Sequence, residues 1–477
     1  MRDVRGNRPK TVDIVVAGAG MGGLCAAVRA ARSGARVLLL EKAARPGGTM
    51  ILSGGGVWGV SRYEDLREHI PRGDPALHRA WVETLPIGQA WLDELGIPVG
   101  SNPNARLRGM ADTHTSSIIA GKQIVEGRDT ATRTINPPQF TELMLAEFQK
   151  HRGTLLTEAP LVNIERDEAG CVNAVAYSQG AHVHRVETRA VVLATGGFGA
   201  NRALVKRHIT PYAEQVWRRC APTVTGDGLA LATAIGAATA GDFGAFYGHN
   251  LPARPAQFGS DEWIQVSQYY GPAALAINLN GERFMDEGET RLEETIAQDT
   301  ARQPQATAAY VFDEAMWQTY LDPHSGFIQS GVDKVAFARE AGGKVLVAAT
   351  LDVLCALVAE AGFDGARMHE TITAFNAAAL QGRTAGLEVP KTRYVFPLLK
   401  PPFYAVVVQP GITGTMGGLK VDAHARVLDG EGEVIEGLYA AGVDVGNLNN
   451  RHYGGMLSTG LVFGIRAADH VTRNLLT

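Results

Sequence analysis

The apolar run from Ile14 to Ala17 opens the most regular pattern in the chain. In "TVDIVVAGAGMGGLCAAVRAARSGARVLLLEK" it predicts a short buried parallel strand, followed by a glycine turn, an alanine-rich helix and a second strand over Val37–Leu40. Two more strand-like runs, Ala190–Leu193 and 437–440, also lead into glycine clusters. Further on, "TLDVLCALVAEAG" carries Leu351, Leu354, Leu357 and Val358 at helical spacing, which predicts a helix with one face in a core. No stretch of about 18 apolar residues predicts a membrane span.

Composition adds exclusions. Hydrophobic residues are 45% and charged residues 20% of the 477, an ordinary soluble balance, and the length predicts two or three domains. A net charge of −4 with no basic stripe gives no case for a nucleic-acid partner. Cys25, Cys171, Cys220 and Cys355 are widely separated and form no CxxC pair, which excludes the usual zinc, iron–sulfur and c-type haem signatures, so no metal is expected. Free thiols fit a reducing compartment. The segment "MRDVRGNRPKTVDIVV" has charge but no apolar run long enough for a secretory signal, so the expected location is cytoplasmic.

The glycines of the first turn are Gly18, Gly20 and Gly23, a G-x-G-x-x-G spacing. They supply a tight turn, close backbone approach to a pyrophosphate and close helix–strand packing. Met21 and Gly22 open the helix, whose N-terminus offers N–H groups and a positive dipole end to phosphate. The second strand ends at Glu41, followed by Lys42, and an acid there accepts a ribose hydroxyl and disfavours a 2′-phosphate. Further glycine clusters at 46–59, 191–201 and 437–447 predict one long cofactor touched by distant segments, which favours FAD over NAD.

The chain resembles the flavoprotein family of fumarate reductases, succinate dehydrogenase flavoprotein subunits and 3-ketosteroid dehydrogenases. The resemblance rests on the N-terminal unit and on "GGTMILSGGGVW", "ATGGFGAN", "TGDGLALA", "NLNGERFMDE", "TMGGLKVD" and "GLYAAG", which span nearly the whole length. It implies an α/β fold: a Rossmann-like FAD-binding domain split into 1–241 and 410–477, with an α+β capping domain at 242–409. "TGDGLALATAIGAATAG" then reads as the helix closing the first part, and "LLKPPFYAVVVQPGI" as the returning strand. By the same resemblance FAD is bound by Gly48, Thr49, Gly54, Gly55, Ala194, Thr195, Gly196, Asp444, Ser458 and Thr459. Asp227 is read as a backbone organiser beside the cofactor. Gly48 stands where some members carry a flavin-linked histidine, so FAD is expected to be non-covalent. In place of the family's "AAGE", Val443 follows "AAG" and Asp444 comes one residue later.

Catalytic candidates follow from the same resemblance. In "GERFMDEGETRLEET", Arg291 falls where soluble fumarate reductases carry a proton-donating arginine; its bland reading is a surface ion pair with Glu287 and Glu294. Arg451, in "NNRHYGGML", matches a carboxylate-clamping arginine. The other dicarboxylate contacts are replaced: Ser267 and Tyr270 stand at the relay, and Gly414 stands where a substrate histidine is expected. His249, Tyr247 and Tyr453 remain as candidates to polarise a ketone or act as base.

The expected activity is FAD-dependent interconversion of CH–CH and C=C next to a carboxylate or carbonyl, with hydride passing at flavin N5. The substrate would be a small organic acid or ketone, and a separate donor or acceptor would carry the electrons. The rivals are a cyclic-ketone or steroid desaturase with a tyrosine base, and a flavin-binding sensor or assembly subunit without turnover.

Overall fold

In the computed structural model, residues 9–58, 62–98, 133–289, 294–322 and 332–476 are described. The first strand, β1 (Ile14–Ala17), lies at the centre of a six-stranded sheet, beside β2 (Val37–Leu40) on one side and Ala190–Leu193 on the other. Ile14 is in register with Val37 and Ala190, both pairings parallel. Thr154–Leu156 extends one edge, and Val434–Ala440 with the antiparallel Arg426–Leu428 extends the other. Every residue of β1 and β2 is buried, as unbroken apolar runs require when both faces of a sheet are covered.

Helix α1 (Met21–Arg32) packs against the C-terminal helix Met456–Leu476. Small residues permit the close crossing: a Cβ on Gly464 would stand 2.5 Å from the Gly22 carbonyl oxygen.

A second sheet is organised around Phe403–Thr415, a strand of 13 residues. It pairs with Phe246–Pro252, Ala308–Asp313 and Val345–Ala348 antiparallel and with Trp217–Arg218 parallel; Leu275–Asn278 adds beyond Ala308–Asp313. Alternate side chains enter opposite cores, as a pleat dictates. Ala405 and Val407 join Leu354, Val358 and Phe375, whereas Val406 and Val408 join Tyr310, Phe312 and Ile296. Helix Leu351–Glu360 therefore buries the face its spacing predicts.

The central strand runs unbroken past residue 409, and Trp217–Arg218 reaches it from the N-terminal part of the chain. The helix read over "TGDGLALATAIGAATAG" covers only Asp227–Ala234, and Gly236 takes a positive φ of 96° just beyond its end.

The bland surface-pair reading does not hold for Glu287: it is 0% exposed, and its carboxylate accepts from Arg283 Nε and Nη2 at 3.0 and 2.6 Å and from Lys391 Nζ at 3.3 Å. Arg283 also stands four residues from Glu287, on the other side, so the same spacing serves a buried pair. Arg291 lies outside the described residues. Among those described, no helix is long and apolar enough to cross a membrane, and no cluster of His, Cys, Asp and Glu suits a metal.

Candidate functional site

One cavity is lined by residues from both sheets. Its first half is built on the end of β1. Gly18 turns the chain with φ 100°, where a Cβ would lie 2.2 Å from the Ala194 carbonyl oxygen, and a Cβ on Gly23 would lie 1.7 Å from the Gly18 oxygen. Those two glycines permit contact between backbones. Gly20 differs: a Cβ there would approach nothing nearer than the Gly47 oxygen at 4.0 Å, and the residue lines the cavity, so the space beside it is kept open.

The other walls of this half are Met21 and Gly22 at the helix start, Glu41 and Lys42 after β2, Gly48, Thr49 and Gly54 in the following loop, and Ala194, Thr195 and Gly196. Glu41 is held at the strand end by Ala19 N–H at 2.8 Å and Ala43 N–H at 2.7 Å. Burial pushes its carboxyl up, against the pull of those donors. Asp227 lines the cavity while accepting from Lys42 Nζ at 2.7 Å and the Thr225 hydroxyl at 2.6 Å, a tie between β2 and the helix Asp227–Ala234.

Five of the expected cofactor residues stand behind this wall. Asp444 is buried and accepts from Thr195 N–H, the Thr195 hydroxyl at 3.0 Å and Gly196 N–H at 3.1 Å, so it braces the turn whose atoms face the cavity, while Val443 lines it. Ser458 and Thr459 donate to the Gly455 and Met456 carbonyls at 2.9 and 3.1 Å in the first turn of the C-terminal helix. Gly55 packs on Ile135, and Gly23 on Gly18.

The second half is aromatic, with Trp58, Tyr247, Trp263, Tyr269 and Tyr453 in its walls. Tyr247 and Tyr453 stack with centroids 3.7 Å apart at 12°. Met456 N–H donates to Tyr453 Oη at 2.9 Å. His249 stands behind the pair, its Nε2 3.1 Å from Tyr247 Oη. Burial pushes this imidazole well below its usual range, with Arg219 and Lys334 adding to the effect, which favours its neutral form.

Arg451 is not among the lining residues. Its Nη1 and Nη2 donate to Asp299 at 3.1 and 2.9 Å, and Nη2 also reaches Glu289 at 2.6 Å. A guanidinium committed to two carboxylates has little left for a ligand.

Sequence reasoning missed Arg219, Tyr269 and Thr413, which line the second half together. Arg219 Nη1 donates to the Thr413 hydroxyl at 2.7 Å and Nη2 to Tyr269 Oη at 3.2 Å. Lys334 stands behind them with Nζ 4.9 Å from the Tyr269 ring and bonded to the Ile264 carbonyl. No motif marks these residues. They meet because Trp217–Arg218 pairs with Gly411 and Ile412.

A family model described as FAD binding domain matches residues 13–456. The chain belongs to the FAD binding domain family. Relatives in sequence include a probable fumarate reductase, Ifc3, of Shewanella frigidimarina, 25% identical over 98% of this chain and 76% of that protein. A 4-oxocyclohexanecarboxylate 2-dehydrogenase of Sinomonas cyclohexanicum is 28% identical over 92% of this chain and 88% of its own length. In structure, the 3-ketosteroid delta1-dehydrogenase from Sterolibacterium denitrificans, solved with 1,4-androstadiene-3,17-dione, superposes with a TM-score of 0.72 at 22% identity, covering 98% of this chain and all of that one.

Membership makes the chain an FAD-dependent oxidoreductase with the α/β fold read from its sequence. The first half of the cavity suits that cofactor. It has open space at Gly20, a helix N-terminus without a side-chain cap, and an acid at the end of β2.

Proposed function

We propose that this family member interconverts a CH–CH bond and a C=C bond next to a ketone carbonyl, with Tyr247 and Tyr453 serving the carbonyl oxygen and the α proton. The observation that carries this is the stacked phenol pair in the cavity that also holds the glycine cradle, while Arg451 is engaged by Asp299 and Glu289.

The cradle of Gly18, Gly20 and Gly22, with Glu41 and the 194–196 turn, would hold the pyrophosphate and ribose of FAD. When bound, FAD supplies the acceptor or donor of the hydride at the β carbon. Tyr453 receives the Met456 N–H on its oxygen and offers its own O–H to the carbonyl, which stabilises the enolate-like charge formed when the α proton leaves. Tyr247 Oη takes or returns that proton while its own O–H proton passes to or from His249 Nε2, 3.1 Å away, whose neutral form burial favours. Trp58, packed edge-on against Tyr453 at 5.2 Å, helps to exclude water.

The direct test is anaerobic absorbance of the FAD-loaded protein titrated with cyclic ketones and with saturated dicarboxylic acids. Ketones are expected to bleach the flavin. Bleaching by simple dicarboxylates alone, together with loss of turnover in Arg291→Met but not in Tyr247→Phe, would return the reaction to an arginine donor.

Gly48 has no side chain to bond the flavin, which supports non-covalent FAD. Precipitation of the holoprotein with acid should release the flavin into the supernatant. A yellow pellet after washing would refute it.

A further inference from the structure

Arg219 is 8% exposed, and no Asp or Glu among the described residues forms an ion pair with it. Its Nε is buried without a hydrogen-bond partner. A guanidinium has five N–H groups, and here Thr413 and Tyr269 receive one each. Burying a charge without a counter-ion is costly. Elsewhere the protein supplies acids, Glu287 for the buried cations Arg283 and Lys391, and Asp299 and Glu289 for Arg451. Arg219 lines a cavity, so the missing anion belongs to whatever fills that cavity.

We propose that Arg219, with Thr413 and Tyr269, forms a carboxylate subsite, and that the substrate is a cyclic keto acid whose carbonyl sits at Tyr247 and Tyr453. The ketone end rests on the function proposed above; the carboxylate end does not. Geometry joins the two ends through a string of rings. Tyr453 stacks on Tyr247, Tyr247 Oη meets His249, the His249 ring lies 4.6 Å from that of Tyr269, and Tyr269 Oη meets Arg219. A ligand spanning that string needs a carbon skeleton between its two groups, and the aromatic walls favour a ring. Spare N–H groups on a planar guanidinium suit a carboxylate's two oxygens. The Thr413 hydroxyl accepts from Nη1, which leaves its own proton to donate to the same anion.

The test uses the FAD-loaded full chain and three probes: 4-oxocyclohexanecarboxylate, its methyl ester, and cyclohexanecarboxylate, which lacks the ketone. Kd is read from the perturbed flavin spectrum. Wild type should bind both acids more tightly than the ester, and Arg219→Leu should weaken both acids on the order of 10- to 100-fold while the ester changes little. Arg219→Lys should fall between, keeping charge without the planar pair of donors. Without ligand, Arg219→Leu should melt no lower than wild type, because it removes an uncompensated buried charge. An acid preference that survives in Arg219→Leu overturns the subsite. So does unchanged acid binding accompanied by a moved flavin reduction potential, which would mean that the arginine serves the cofactor. If cyclohexanecarboxylate depends on Arg219 and no ketone bleaches the flavin, the subsite stands and the ketone reaction falls.

Discussion

Tyr453→Phe is expected to slow flavin reduction by about 10²–10⁴-fold, the usual cost of losing a positioned proton-handling group. The substitution keeps the ring, so stacking on Tyr247 at 3.7 Å and edge contact with Trp58 are retained, and only the hydroxyl is lost. That hydroxyl accepts from Met456 N–H at the head of the C-terminal helix, so circular dichroism and flavin content must confirm that the helix and the cofactor survive. Single-turnover reduction under anaerobic conditions then reads the chemical step alone. Tyr247→Phe should cost a similar factor, and because the two phenols act on one substrate, the double variant should lose less than the product of the single losses. Rates within about threefold of wild type for both variants would be far below any general acid–base contribution and would sink the tyrosine assignment.

How much of this was legible beforehand follows from where each interaction closes. The β1–α1–β2 unit folds from neighbouring residues, so Ile14–Ala17 and Val37–Leu40 emerge with the limits that their apolar runs set. Ala190–Leu193 does too, because a fully buried strand has no polar position to blur its ends. Arg219 is the opposite case. Its neighbours Trp217 and Arg218 pair with residues almost two hundred positions away, and only that pairing brings it to Thr413 and the cavity. Glu287 shows a different failure. A carboxylate flanked by arginines at minus four and plus four is ambiguous by spacing, and burial, which one sequence does not display, selects Arg283. Asp444 misleads in a third way: an acid next to a cofactor motif reads as a ligand, yet its oxygens turn back to the 195–196 backbone.

Glu287→Gln is expected to be strongly destabilising, at about 3–5 kcal/mol. Glu287 Oε1 accepts from Ala276 N–H at 2.9 Å, and the side chain receives Arg283 and Lys391. Lys391 also donates to the Pro272 and Ala274 carbonyls at 2.8 and 3.0 Å, and Arg283 donates to the Val389 carbonyl at 2.6 Å. One carboxylate thus ties together the 272–276, 283–287 and 389–391 segments. The amide keeps the shape but leaves two buried cations uncompensated, which costs more than losing one hydrogen bond. Burial alone would raise the Glu287 carboxyl, yet Lys391 and Arg283 hold it below the usual carboxylate range. Its stabilising contribution is therefore complete above the unfolded value of about 4.3 and is lost as pH falls through the lower folded one. Calorimetry at pH 7 should show Glu287→Gln melting well below wild type, and the gap should narrow in acid as wild type loses the same charge. A variant that melts with wild type at pH 7 would refute the charge argument. The triple change Glu287→Leu, Arg283→Met, Lys391→Met should recover much of the loss, since a packed apolar cluster can replace a buried ion network. The same reasoning applied to Arg219 gives the opposite sign, because there the protein supplies no carboxylate among the described residues and removal of the cation relieves the unliganded fold. Stability of the two variants without ligand thus separates a cation that holds the fold from one that awaits a substrate.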